Sequence, residues 1–161
     1  MSGKIFERCE LAQELERVRA AGRRVVFTNG CFDLLHVGHL SYLAEARAIG
    51  DCLVVAINTD RSVQAIKGPS RPVLPENERA EILAAVEMVD YVTFFDEATP
   101  QQIIEELQPD FLVKGADWAI DAIVGREVVW ARGGKVVNIP IVPGISTSEI
   151  ISRMLATNSG K

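Results

Sequence analysis

RVVFTNGCFDLLHVGHLSYLAEARAIGDCLVVAIN, residues 24–58, decides the fold. RVVFTNG (Arg24–Gly30) is a short β-branched and aromatic run that ends in turn residues, as a buried strand does. From about Gly38 to Ile49, Leu40, Leu43, Ala44 and Ala48 line one side of a helix, and Gly50 supplies its C-terminal stop. LVVAIN (Leu53–Asn58) is continuously apolar, the pattern of a parallel strand covered on both faces. The stretch is a βαβ unit.

Working outward, the pattern continues in kind. Pro75–Val86 reads as a helix leading to a strand at Tyr91–Phe95. Thr99 is expected to cap a helix with Pro100 at its first position, running to Leu107 and ended by Pro109. Phe111–Gly115 is the next strand. A helix is expected over Asp121–Arg132, stopped at Gly133-Gly134, then a strand over Lys135–Val142. Ser146 begins a last helix, with Glu149 as its capping-box partner. Alternating β and α predicts an α/β, doubly wound (Rossmann-like) parallel sheet of about five strands with helices on both faces. Ligands of such sheets sit beyond the carboxyl ends of the strands, at the switch point. TNGCFD, LVKGAD and the loop before STSE all fall there.

At 161 residues the chain is read as one domain: an N-terminal helix within 1–22, a core over 24–155 and a frayed tail at 157–161. No apolar run reaches the ~18–20 residues of a membrane helix, and the N-terminus lacks a signal-peptide core. Its three cysteines, Cys9, Cys31 and Cys52, lack CxxC spacing, which suits a reducing cytosol. A net charge of −5 argues against a nucleic-acid surface. Lys67, Arg71 and Arg79 nevertheless cluster positive charge, enough for a small anionic ligand. Homo-oligomerisation is compatible with this composition, which does not specify an assembly.

His36 and His39 are the only two histidines, and they flank Gly38 at the strand-to-helix junction. A helix N-terminus offers free N–H groups and partial positive charge to phosphate. Imidazole donors beside them can stabilise a phosphoryl transition state. Glycine between them leaves room for a close approach to the backbone. A histidine metal site lacks a third ligand at suitable spacing. Neither GxGxxG nor a Walker P-loop is present.

TNGCFDLLHVGHLSYLAEARAIGDCLVVAINTD resembles the HxGH nucleotidylyltransferases of the cytidylyltransferase-like superfamily, and ISTSEII (Ile145–Ile151) resembles their late ISTT-type motif. The resemblance runs from about Arg24 to Leu155. KGPSRPVLPENERAEILAAVEMVDYV and DEATPQQIIEELQPDFLVKGADW are most similar to bacterial D-glycero-β-D-manno-heptose 1-phosphate adenylyltransferases. These make ADP-heptose from ATP for lipopolysaccharide core assembly, often fused behind a ribokinase-like domain. Starting at Met1 with its own helix, this chain is expected to be the stand-alone version.

That resemblance implies roles for residues of this sequence. Thr28, Asn29, Gly30, Cys31 and Phe32 would wrap the nucleotide phosphates, with Phe32 alternatively a core residue. Asp33 would orient a histidine, approach Mg²⁺ or cap a helix. His36 and His39, on either side of Gly38, would bind the triphosphate as it approaches that glycine. Lys67, on a flexible KGPSRP lid, would close over phosphates or be a solvated lysine. Arg79 would either bind phosphate or face solvent. Lys114, Gly115 and Asp117 would line the site, with Trp118 in the same loop or in the core. Ser146, Thr147 and Ser148 would offer hydroxyls and amides, Ser146 also serving as a cap. Mg²⁺ is implied by the triphosphate, with its protein ligands unspecified. Ile141 stands where glycerol-phosphate cytidylyltransferases carry an arginine in RTEGISTT, which favours the heptose group. Other readings are a glycerol-3-phosphate or polyol-phosphate cytidylyltransferase, an FMN adenylyltransferase, or a non-catalytic nucleotide-binding module. An aminoacyl-tRNA synthetase would need a tRNA-binding domain and a basic surface. The expected partners are therefore ATP and a sugar 1-phosphate, with no nucleic acid and no membrane.

Overall fold

The computed structural model describes residues 3–158. Five strands, β1 (Val25–Gly30), β2 (Cys52–Asn58), β3 (Tyr91–Phe95), β4 (Phe111–Gly115) and β5 (Lys135–Ile139), form one sheet. All pairings are parallel and the order is β3-β2-β1-β4-β5, the doubly wound arrangement expected. Winding starts at β1 and reverses there, so the switch point lies between β1 and β4.

Among the described residues seven helices flank the sheet: α1 (Arg8–Ala20), α2 (Val37–Ile49), α3 (Asp60–Lys67), α4 (Glu76–Ala84), α5 (Gln101–Leu107), α6 (Arg126–Ala131) and α7 (Thr147–Asn158). All seven β2 residues are buried, and successive side chains feed opposite cores. Val54 and Ala56 pack with α1, α5 and α6 through Leu11, Leu15, Ile103, Leu107 and Val129. Leu53, Val55 and Ile57 pack with α2 and α4 through Leu43, Ala46, Ala80 and Leu83. Before α1, Val92 N donates to Lys4 O (2.8 Å) and Phe6 N to Val92 O (3.0 Å), which covers the exposed edge of β3. No helix among the described residues is long and apolar enough to cross a membrane.

Several boundaries differ from expectation, each for a local reason. The helix expected over 121–132 is split into a 3₁₀ turn, Ile120–Ala122, and α6. Gly125 breaks it at φ +89°, where a Cβ would lie 2.4 Å from Ile104 Cδ1. β5 stops at Ile139, because Pro140 has no N–H to continue the ladder. Pro100, not Thr99, occupies the cap position of α5. Gly50 ends α2 in extended conformation (φ −144°); it is glycine because a Cβ would sit 2.6 Å from Val26 Cγ2. The helix α3 was not anticipated; Thr59 caps it by accepting from Ser62 N at 3.3 Å. Thr157 and Asn158 belong to α7 and not to a tail, whereas residues 159–161 lie outside the described residues.

Candidate active site

Beyond the carboxyl ends of β1 and β4 lies a cavity of about 420 Å³. The β1–α2 loop, the first turn of α2, the end of β4 and the start of α7 supply most of its wall. His36 is the extended N-cap of α2, and its carbonyl accepts from His39 N at 2.9 Å. One turn apart, the two imidazoles stack with centroids 3.9 Å apart and planes inclined by 29°. The glycine between them makes this possible. A Cβ on Gly38 would lie 3.0 Å from His36 Nδ1, so a larger residue there would press on the His36 ring, and Gly38 itself lines the cavity.

Burial lowers the His36 pKa against the opposing pull of Glu149. It pushes His39 down to about 4, assisted by the nearby positive groups of His36 and Lys67. Both rings are thus neutral at pH 7, and the Nδ1 atoms of both are buried without a hydrogen-bond partner. A phosphate placed here would favour the protonated rings and give their N–H groups an acceptor.

The floor is equally built. Lys114 Nζ donates to Asn29 O at 3.2 Å, and burial pushes its pKa down to about 8 despite the pull of Asp117. Tyr42 Oη donates to Val113 O (3.1 Å) and shares a 2.7 Å hydrogen bond with Thr28 Oγ1. Burial drives the Tyr42 pKa up to about 12, so the phenol stays a donor tying β1, β4 and α2 together. Thr28 is therefore a support behind the site; it does not line the cavity.

The loop after β1 turns at Phe32 (φ +46°), whose ring lies over Gly30 and 5.4 Å from that of His39. Phe32 lines the cavity and also belongs to the α2-side core. Asp33 is turned away from both histidines. Its carboxylate accepts from Arg71 Nε (2.6 Å), Val73 N (2.9 Å) and Leu74 N (2.9 Å). Burial alone would raise its pKa, but these donors hold it below the usual carboxylate range. It is a clamp on the 71–74 segment, not a histidine orienter or helix cap.

Arg79 is neither solvent-facing nor on the cavity wall, being 1% exposed. Its guanidinium donates to Cys31 O (2.6 Å), Leu74 O (3.0 Å) and Asp60 Oδ1 (2.7 Å), joining the β1–α2 loop, the 71–75 segment and α3. Lys67 lines the cavity as the exposed last residue of α3, so it stands on a helix end and not within the loop. Ser146, Thr147 and Ser148 line the cavity at the start of α7; Ser146 Oγ also caps it by accepting from Glu149 N at 3.1 Å. Cys31, Gly115 and Asp117 complete the expected set. A Cβ on Gly115 would lie 2.7 Å from Asp117 Oδ1. Trp118 lines the cavity half-exposed and is not core.

All the expected site residues except Thr28 and Arg79 therefore line one cavity. Arg71 of the expected positive cluster and Ile141 line it as well, as do Tyr42 and Ile145, which were not anticipated. Tyr42 carried a readable signal, lying one helical turn beyond His39. The described residues hold no group of three or more His, Cys, Asp or Glu able to bind a metal.

The Cytidylyltransferase-like family profile matches residues 27–153. This chain belongs to the cytidylyltransferase-like family. It is 57% identical over 147 residues to the bifunctional protein HldE of Citrifermentans bemidjiense, covering 91% of this chain and 30% of that protein. It is 53% identical over 152 residues to the HldE of Syntrophotalea carbinolica, covering 94% of this chain and 31% of the other. This family member thus spans about a third of the length of these relatives. A solved structure of similar fold is the lipopolysaccharide core biosynthesis protein of Thermoplasma volcanium. It shows a TM-score of 0.62 and 30% identity, over 75% of this chain and 98% of that one.

Proposed function

We propose that this protein is an adenylyltransferase that joins ATP and D-glycero-β-D-manno-heptose 1-phosphate, releasing pyrophosphate and forming ADP-heptose for lipopolysaccharide core assembly. The observation that carries this reading is the stacked histidine pair at the α2 N-terminus, inside a cavity at the sheet's switch point. Similarity to HldE and to a lipopolysaccharide core biosynthesis protein supports the sugar phosphate as acceptor. Ile141, lining the cavity where glycerol-phosphate cytidylyltransferases have an arginine, favours it further.

In the proposed step an oxygen of the acceptor phosphate attacks the α-phosphorus of ATP. One O–Pα bond forms, the Pα–O bond to the β-phosphate breaks, and the electron pair leaves with pyrophosphate. The nucleophile is already an anion, so no general base is needed. His36, His39 and the amides at the α2 N-terminus stabilise the extra charge on the α-phosphoryl oxygens. Lys67 and the α7 N-terminus hold the remaining phosphates, and Lys114 supports the loop beside them.

Magnesium fits such a site as a passenger of the triphosphate, because it keeps several waters and takes only one or two carboxylates. Asp117 is the cavity carboxylate left without a hydrogen bond or ion pair among the described residues, and it would be the protein's contact to Mg²⁺. Bound there, the ion would neutralise charge on the leaving group. In this reading the enzyme works in the cytoplasm on small molecules, with neither nucleic acid nor membrane as partner.

The test is steady-state pyrophosphate release with ATP or CTP crossed against heptose 1-phosphate and glycerol 3-phosphate. ATP with the heptose phosphate should give the highest kcat/KM. An acceptor without the sugar hydroxyls leaves buried polar groups unpaired, at about 1–3 kcal/mol each. Highest kcat/KM for CTP with glycerol 3-phosphate would refute the proposal and leave the family membership untouched.

A further inference from the structure

Arg71 is a cation on the cavity wall that no motif accounts for. It lies between α3 and α4, with a side chain 12% exposed against a 1% exposed Asp33. Nε donates to Asp33 Oδ2 at 2.6 Å, whereas Nη2 is buried with no hydrogen-bond partner. An arginine held only to neutralise Asp33 would turn its fork to the carboxylate and pair bidentately. Here Asp33 is already engaged by the amides of Val73 and Leu74, both at 2.9 Å, and takes the guanidinium by one edge. Its Nη2 is left desolvated and unpaired on a residue of the cavity wall. Such a donor is costly unless an acceptor arrives. Because Asp33 is fixed by backbone, the guanidinium is aimed before any ligand binds.

The acceptor that suits a planar fork of N–H donors is a phosphate or carboxylate. Two helix N-termini open on the same cavity, those of α2 and α7, and with their histidines and hydroxyls they suit the triphosphate. The reaction brings a second anion into the cavity, and its phosphate needs a cation of its own. We infer that Arg71, oriented by Asp33, binds the phosphate group of the acceptor. Arg71 is thus a binding residue for the acceptor and Asp33 its positioning residue. This inference rests on the adenylyltransferase reading above, and deepens it by naming what recognises the second substrate.

Kinetics of wild type, Arg71→Lys and Arg71→Gln test it, with KM measured separately for ATP and for heptose 1-phosphate. Arg71→Gln should raise the acceptor KM by about 10–100-fold, the range for losing one charge-assisted hydrogen bond, and leave the ATP KM within about 3-fold. Arg71→Lys keeps the positive charge beside Asp33, so it folds, and should show a smaller rise in the same KM. Asp33→Asn should also raise the acceptor KM and spare that of ATP. A rise in the ATP KM alone, or no change in either, would overturn the inference. Calorimetric titration of nucleotide-free protein with heptose 1-phosphate separates it from the parent reading. Wild type should bind, and Arg71→Gln should bind at least about 10-fold more weakly. Arg71-dependent binding in a wild type that transfers no adenylyl group would uphold the phosphate site and refute the adenylyltransferase.

Discussion

At the β1–α2 junction the chain is packed so closely that a methyl group on either glycine would press on an aromatic or imidazole ring, whereas the segment from Gly68 to Pro75 starts at an uncrowded glycine and is held by polar clamps. A Cβ would meet the Phe32 ring at 3.2 Å on Gly30 and the His36 ring at 3.0 Å on Gly38, but nothing within 4 Å on Gly68. The 71–75 segment is fixed instead by Asp33 from one loop and by Arg79 from α4. Packing sets the two histidines in place without hydrogen bonds to their buried Nδ1 atoms. Clamping lets the opposite wall carry Arg71, whose charge could not be buried by packing alone. One cavity thus combines a closely packed corner with an electrostatically tethered rim.

The largest effect should come from breaking the packed corner. His36→Ala or His39→Ala should lower kcat by roughly 10²–10³-fold, the range for removing one preorganised donor. Neither ring makes a hydrogen bond that holds the fold, so the urea midpoint should stay near wild type. Pyrophosphate-release kinetics beside denaturation curves check both halves. Turnover within a few-fold of wild type would remove the histidines from the mechanism.

Breaking the clamp should act on stability first. Arg79→Met strips the donors from Cys31 O and Leu74 O and leaves Asp60 without its ion pair. The expected loss is about 2–4 kcal/mol in urea unfolding, with kcat/KM falling as the β1–α2 loop loosens. An unchanged midpoint would mean that the segment is held by something other than these hydrogen bonds.

The contrast also explains what could be read from the sequence. The packed corner was legible because each residue type there is demanded locally: a β-branched strand, a glycine between histidines and a helix face all lie within one βαβ unit. Lys114 was legible as a lone charge at the end of an apolar strand. The clamps were not, because Asp33 meets Val73 and Leu74, and Arg79 meets Cys31, across forty or more positions with no periodicity to mark them. Asp33 was consequently read toward the histidines, and Arg79 toward phosphate or solvent. The helix α3 was missed although Thr59 and Asp60 start it, since a single cap without a long apolar face is weak evidence. The break in the helix expected over 121–132 depended on Gly125 meeting Ile104, a tertiary contact.

The smallest effect sharpens the comparison at its hinge, the floor lysine. Burial lowers Lys114 to about 8, below the roughly 10.4 of an unfolded lysine. The unfolded chain therefore binds more protons between these values, and wild-type stability rises with pH through that window. At pH 7 the buried charge is a cost, so Lys114→Met should raise Tm there by roughly 2–5 °C. That advantage should shrink between about pH 8 and 10, while activity at pH 7 falls. Thermal melts across pH decide it; a lower Tm for the variant at pH 7 would show that the Lys114–Asn29 hydrogen bond outweighs the desolvation.

The central claim is that the stacked imidazoles stabilise charge and never form a bond to phosphorus. Stereochemistry at the α-phosphorus tests this most directly, using ATP with a single-configuration α-phosphorothioate and heptose 1-phosphate. Single in-line displacement predicts inversion of configuration in the ADP-heptose thio-product. Retention would require two displacements through a histidine-bound adenylyl group, and would contradict the account.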